Sequence, residues 1–255
     1  MKTKFYALLL IILASCTPKK ETPTSINLHN NWEFKSTDKA QWNPATVPGE
    51  VHSDLLRNKM IEDPYVLDNE FKLQWISDKD WEYKANFSLD SKTLNKKHIE
   101  LHFEGLDTYA FVFLNDSLIL KSNNAFRTWN VNAKPYLKKD NTIKIIFEST
   151  TKQEEIEKGK LPYFLPPGNR VFTRKAQYQY GWDWGPIFNT SGIWKPINLI
   201  AWNNVKINDV FVKQVSLDDD KAILEAEVNL SMDKNLNKEL TYNIYVNNEL
   251  AKSFS

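Results

Sequence analysis

Trp81-Glu82-Tyr83-Lys84-Ala85-Asn86-Phe87-Ser88-Leu89 alternates apolar and polar side chains residue by residue. In an extended chain successive side chains point to opposite faces, so this stretch predicts a strand with one face in a core. The same period recurs downstream. Ile99, Leu101 and Phe103 alternate with Glu100 and His102, and Ile143, Ile145 and Phe147 flank Lys144 with Ile146 on the second face. Phe111 to Leu114 is apolar on both faces, which reads as a central strand. Asn115-Asp116-Ser117 supplies turn chemistry before Leu118-Ile119-Leu120, so these two runs form a hairpin. Trp194 to Trp202 makes a late strand. Helix is minor: Val51 and Leu55 lie four apart after Pro48-Gly49, and Lys152 to Lys158 is a polar helix that Gly159 ends. Many short strands with turn signals and little helix indicate an all-β sandwich.

The chain has 255 residues, with 33 Lys plus Arg against 32 Asp plus Glu. Near neutrality excludes a broad basic field, and no nucleic-acid partner is expected. Nine Trp, ten Tyr and fourteen Phe on such a chain suit a neutral polar ligand such as a sugar, although most of these rings are expected in the core. Cys16 is the only cysteine, which excludes a disulfide framework and a thiolate metal cluster.

Lys2 and Lys4 precede an apolar run from Phe5 to Ala14, and Leu13-Ala14-Ser15 leads into Cys16. This pattern is a secretory signal, and small residues before a cysteine resemble a lipobox. Residues 1–15 are therefore expected to be cleaved, with Cys16 carrying the lipid that anchors an exported lipoprotein to a membrane of a Gram-negative envelope. The Pro-, Thr- and Lys-rich residues 16–25 read as a tether. Residues 26–203 then form the first sandwich.

From Val205 a new strand set begins, with Val210 and Val212, then Ala222, Leu224, Ala226, Val228 and Leu230, then Tyr242, Ile244 and Val246 before Asn247-Asn248. Residues 204–255 read as three or four strands of an immunoglobulin-like sandwich, a fold of about seven strands. Either the natural protein is expected to be longer, or its gene is broken.

No nucleophile elbow, phosphate loop or metal-spaced histidine cluster is present. His29, His52, His98 and His102 are scattered, and neither a metal site nor a cofactor is expected. Glycoside hydrolysis needs two carboxylates at a set separation, and nothing singles out such a pair. The segment from Leu161 to Trp194 stands apart. It contains Arg170, Arg174-Lys175-Ala176-Gln177 and Gly181-Trp182-Asp183-Trp184-Gly185-Pro186. Aromatic faces, a carboxylate, guanidinium groups and amides are the mixture that grips a pyranose. A tight turn at Gly185-Pro186 would present Trp182 and Asp183 together at a rim. A buried aromatic corner, with Asp183 paired to Arg174, suits the same residues equally well.

These motifs resemble those of the β-mannosidases in glycoside hydrolase family 2. The match comprises Arg174 to Gln177, Gly181 to Pro186 and Ser191-Gly192-Ile193-Trp194. Upstream it adds Val47-Pro48-Gly49-Glu50-Val51-His52, Asp63-Pro64-Tyr65, Asn69-Glu70, Trp75, Trp81-Glu82-Tyr83, Phe103-Glu104-Gly105-Leu106-Asp107-Thr108 and Leu114-Asn115. The resemblance covers roughly residues 26 to 255. It implies a jelly-roll, galactose-binding-like sandwich followed by part of an immunoglobulin-like one, ahead of a barrel that carries the two glutamates of a retaining, exo-acting enzyme. No catalytic residue is expected in these 255 residues. Trp182 and Asp183 fall on the loop that such enzymes lend to the pocket of the terminal mannose, with Arg174 and Gln177 as its supports. A free-standing sugar-binding lipoprotein, or another family 2 enzyme such as a β-galactosidase or β-glucuronidase, is the alternative.

Overall fold

The computed structural model describes residues 22–166, 168–236 and 240–254; the expected signal segment, Cys16 and the start of the expected tether lie outside them. The chain runs β1 (Thr24–Asn27), β2 (Trp32–Ser36), β3 (Asn43–Pro44), α1 (Val51–Arg57), α2 (Asn69–Lys72), β4 (Trp81–Ser88) and α3 (Ser91–Leu94). There follow β5 (His98–Phe103), β6 (Tyr109–Leu114), β7 (Ser117–Asn123), β8 (Trp129–Asn132), β9 (Asp140–Phe147) and α4 (Thr150–Lys158). Then come β10 (Tyr180–Trp182), β11 (Gly185–Ile187), β12 (Ile197–Trp202), β13 (Val205–Leu217), β14 (Ala222–Met232), β15 (Tyr242–Val246) and β16 (Glu249–Phe254).

Two antiparallel sheets make the sandwich: a six-stranded sheet in the order β3-β2-β4-β9-β6-β7 and a four-stranded sheet β1-β12-β5-β8. The alternating residues face each other across one core. Phe34, Trp81, Tyr83, Val112, Ile143, Ile145 and Phe147 come from the first sheet, and Ile99, Leu101, Phe103, Ile197 and Leu199 from the second, all at most 3 % exposed. Burial of this kind removes apolar surface from water and is the main force holding such layers together. Val51 and Leu55 bury the inner stripe of α1 against the same core.

The run from Phe111 to Leu114 is a central strand, as expected, and the bounds of the tether need correction. β6 lies inside its sheet between β9 and β7, but only Ala110, Val112 and Leu114 are buried. Phe111 and Phe113 face outward, half-buried, with Lys121 Nζ 5.1 Å and Lys144 Nζ 5.2 Å from their ring centres. Long lysines from the neighbouring strands roof these rings, so two-sided burial is not needed to shelter them. The tether is shorter than expected. Thr24 and Ser25 already pair with Ala201 and Ile200, because an edge strand gains its stability from main-chain bonds and needs no apolar alternation.

The β6–β7 hairpin turns at Asn115 and Asp116, whose φ values of 48° and 66° are those of a type I′ turn. Beyond Trp202 the chain forms two further hairpins, β13–β14 and β15–β16. The sandwich holds the first of them through charge. Lys206 Nζ lies 2.5 Å from Glu100 Oε2, and Asp233 accepts from His98 Nε2 at 2.8 Å while that ring stacks on Trp202.

Candidate functional site

The Leu161–Trp194 segment packs over one end of the sandwich, and β10 and β11 form a small hairpin there, with Trp182 opposite Gly185. Asp183 and Trp184 form its two-residue tip. The turn therefore falls two residues before Gly185-Pro186, which instead open the return strand. Trp182 is 63 % and Trp184 87 % exposed. Asp183 has no hydrogen-bond or ion-pair partner among the described residues. A corner built on an Asp183–Arg174 pair is thus not what forms.

The hairpin separates two clefts. The first, about 850 Å³, is lined by Pro64, Tyr65, Leu67, Glu70, Arg170, Tyr180 and residues 181–187. The second, about 750 Å³, is lined by Glu50, His52, Tyr65, Asp107, Phe126, Tyr178, Gln179, Phe188, Thr190 and Trp194 together with Trp182, Trp184, Gly185 and Pro186.

The stem of the hairpin is clamped by groups far apart in sequence. Gln179 Nε2 donates to Asp107 Oδ2 at 2.7 Å, and Gln179 Oε1 accepts from the Thr190 N–H at 3.1 Å. Lys175, 1 % exposed, donates to Asn189 Oδ1 and to the Thr190 carbonyl, each at 2.6 Å, and lies 3.4 Å from Asp107 Oδ1. Burial pushes the pKa of Lys175 down, against the pull of Asp107. Thr190 Oγ1 donates to Glu50 Oε2 at 2.6 Å. Glu70 Oε1 accepts from the Ile187 N–H at 2.7 Å, and the Tyr180 hydroxyl, its pKa raised by burial and by its bond to Glu154, donates to that carboxylate. The tip is therefore exposed on a stem tied down at several points.

Of the residues expected to form a site, Trp182 and Asp183 come together at the first cleft, while Arg174 and Gln177 do not join them. Arg174 is exposed and contributes its backbone, bridging Asn124 and accepting from the Ala125 N–H. Gln177 is exposed and reaches only the carbonyls of Arg170 and Lys175, at 3.4 and 3.5 Å. Their neighbours Lys175 and Gln179 are the inward supports, and Arg170 is the guanidinium in the cleft.

Residues 32–195 match the family described as glycosyl hydrolase 2 galactose-binding domain-like. The chain belongs to that family. The glycosyl hydrolase 2 galactose-binding-like fold extends to solved structures. The β-D-mannosidase from Dictyoglomus thermophilum superposes with a TM-score of 0.78 at 38 % identity, over 82 % of this chain and 26 % of that one. A β-D-glucuronidase from the same organism, at 19 % identity and a TM-score of 0.53, shares the fold alone. Among curated relatives, the beta-mannosidase of Bos taurus is 36 % identical over 212 residues, covering 78 % of this chain and 24 % of that protein. Beta-mannosidase B of Aspergillus oryzae is 34 % identical over 197 residues, covering 73 % and 23 %. The chain spans about a quarter of the length of the curated relatives it matches.

His52 gives this galactose-binding-like domain an acid limb. Burial, outweighing Glu50 and aided by Lys175, holds its pKa at about 4, below the ordinary 6.5. The unfolded chain takes up the proton as pH falls through 6.5, whereas the folded one refuses it until about 4. Stability is thus complete above pH 6.5 and is lost between 6.5 and 4, by up to about 3 kcal/mol at 1.36 kcal/mol per pH unit. Urea melts between pH 7 and 4 are expected to show this slope and to lose it in His52→Gln. Equal slopes in the two proteins would rule His52 out as its source.

Proposed function

We propose that the chain is the N-terminal portion of an exo-acting β-mannosidase, and that it lends the hairpin tip to the pocket of the terminal non-reducing β-D-mannose. One observation carries this reading. Asp183, a carboxylate without a partner among the described residues, stands between two exposed tryptophans on a stem tied down at several points. An unpaired carboxylate accepts hydrogen bonds from sugar hydroxyls, and the indole faces pack on the C–H face of a pyranose. The two glutamates of a retaining hydrolysis belong, on this reading, to another part of the parent polypeptide.

The test joins this chain to the remainder of that polypeptide. The 255 residues alone are expected to leave an aryl β-mannoside intact. In the joined enzyme Asp183→Asn is expected to keep the melting temperature and lower kcat/KM roughly tenfold to a hundredfold, at about 1.4 kcal/mol per decade. A destabilised variant with normal kinetics would make Asp183 a scaffold residue, and turnover by the chain alone would refute the division of labour.

The anchoring reading is proposed alongside it. Cys16 becomes the lipidated mature N-terminus in the periplasm or at the cell surface, and several acyl chains hold more firmly than one. Cys16→Ser is expected to move the protein from the membrane to the soluble fraction. A Cys16→Ser protein still sedimenting with membranes would speak against the lipobox.

A further inference from the structure

The second cleft contains a polar atom that the hairpin tip leaves unexplained. His52, on α1, is 8 % exposed and lines that cleft. Its Nδ1 lies 2.9 Å from Thr190 Oγ1. That hydroxyl has a single proton, which it donates to Glu50 Oε2. Thr190 Oγ1 therefore accepts from His52, and Nδ1 carries the ring hydrogen. Thr190 is itself immobilised, since its N–H goes to Gln179 and its carbonyl to Lys175. Phe188 holds the imidazole ring from the side, with centroids 5.5 Å apart. With the hydrogen on Nδ1, a neutral ring has a lone pair on Nε2. Nε2 has no hydrogen-bond partner among the described residues and is not sealed from solvent. Burial keeps the ring neutral at physiological pH, with its pKa near 4.

We propose that His52 is a ligand-contacting residue, and that the cleft it lines takes the second sugar unit of a glycan whose first unit meets the hairpin tip. The proposal rests on the sugar-binding reading of Trp182 to Trp184. Trp182 and Trp184 line both clefts, so a ligand in contact with both lies across the hairpin. Trp184 and Phe126, 87 % and 56 % exposed, offer rings to the second sugar's C–H face, and Nε2 accepts from one of its hydroxyls. A recessed neutral acceptor also selects. It rewards a hydroxyl donor and meets a carboxylate lone pair to lone pair, so the second unit is a neutral hexose and not a uronic acid.

The test is NMR on the purified chain with ¹⁵N-labelled histidine, read beside tryptophan fluorescence. At pH 7, His52 is expected to carry its hydrogen on Nδ1. A β-linked mannobiose is expected to move the Nε2 resonance over the same concentrations that change the fluorescence of the hairpin tryptophans. His52→Phe keeps a ring against Phe188 and removes the acceptor. It is expected to weaken mannobiose binding about tenfold and to leave the affinity for methyl β-D-mannoside unchanged. Hydrogen found on Nε2, an Nε2 resonance that stays still while the tryptophan signal saturates, or undiminished mannobiose binding by His52→Phe would each overturn the proposal and leave the hairpin reading standing. A moving Nε2 beside silent tryptophans would support His52 and count against the hairpin. Silence in both signals at saturating sugar would overturn both.

Discussion

Replacing Lys175 by methionine is expected to destabilise the fold by about 3–5 kcal/mol, the usual cost of removing one partner from a buried ion pair. The substitution keeps length and apolar stem but deletes the ammonium. Asp107, 4 % exposed, then loses its counter-charge, while Asn189 Oδ1 and the Thr190 carbonyl each lose a donor. Gln179 and Thr108 still donate to Asp107, but neither carries charge. For a chain of this size the melting temperature is expected to fall by roughly 10 °C in a calorimetric scan. Adding Asp107→Asn removes the stranded carboxylate and is expected to recover part of the loss. A Lys175→Met protein melting within about a degree of the parent would show that this ammonium does not hold the hairpin stem.

Gly192→Ala is the second large effect. Gly192 exchanges two 2.9 Å backbone bonds with Asp107, while Gly49 N–H donates to Ile193 O and Val51 N–H to Ser191 O. Three backbones thus meet at one point. A methyl group on Gly192 would stand 2.6 Å from the Gly49 oxygen and 2.7 Å from Glu50 Cα, and neither neighbour is a side chain that can turn away. The expected cost is about 3 kcal/mol. The displaced backbone also draws the Glu50 carboxylate off Thr190. Gly168→Ala is the control. Its φ of 76° and ψ of −162° lie in a region essentially confined to glycine, but an added methyl would meet nothing within 4 Å, so only the backbone conformation is penalised, by about 1–3 kcal/mol. Urea titration of both variants is expected to rank Gly192→Ala as the weaker protein, and the reverse order would remove the case for close backbone contact.

What could be read ahead follows from period and burial. β4, β5 and β9 alternate because one face is buried and the other wet, and the alternation survives in the residue types. β6 hides its alternation because its outer face is also aromatic, and the lysines that roof it come from other strands. At the hairpin, Trp182 and Asp183 were legible as residue types, since few other settings place rings and a carboxylate among glycines. The supports were not. Arg174 and Lys175 differ by one position, which is enough to send one side chain to solvent and the other inside, and spacing alone does not fix that parity. Glu50, His52 and Asp107 meet the hairpin stem across long separations, 138 residues between His52 and Thr190, so no local pattern announces them.

The position of β12 has a consequence for how the chain is made. It is the last strand of the sandwich in sequence, yet it sits between β1 and β5 inside the four-stranded sheet. All six strands of the opposite sheet exist once Phe147 has left the ribosome, but their covering layer lacks its second strand until Trp202 follows. At roughly 5–20 residues per second, the intervening stretch of about 55 residues takes roughly 3–11 s to synthesise. During that interval the nascent chain displays a core face with only part of its cover, and Thr24 to Asn27 wait for a partner more than 170 residues away. Vectorial synthesis therefore delays closure of this domain until nearly all of it has emerged, a natural window in which a chaperone can hold it open.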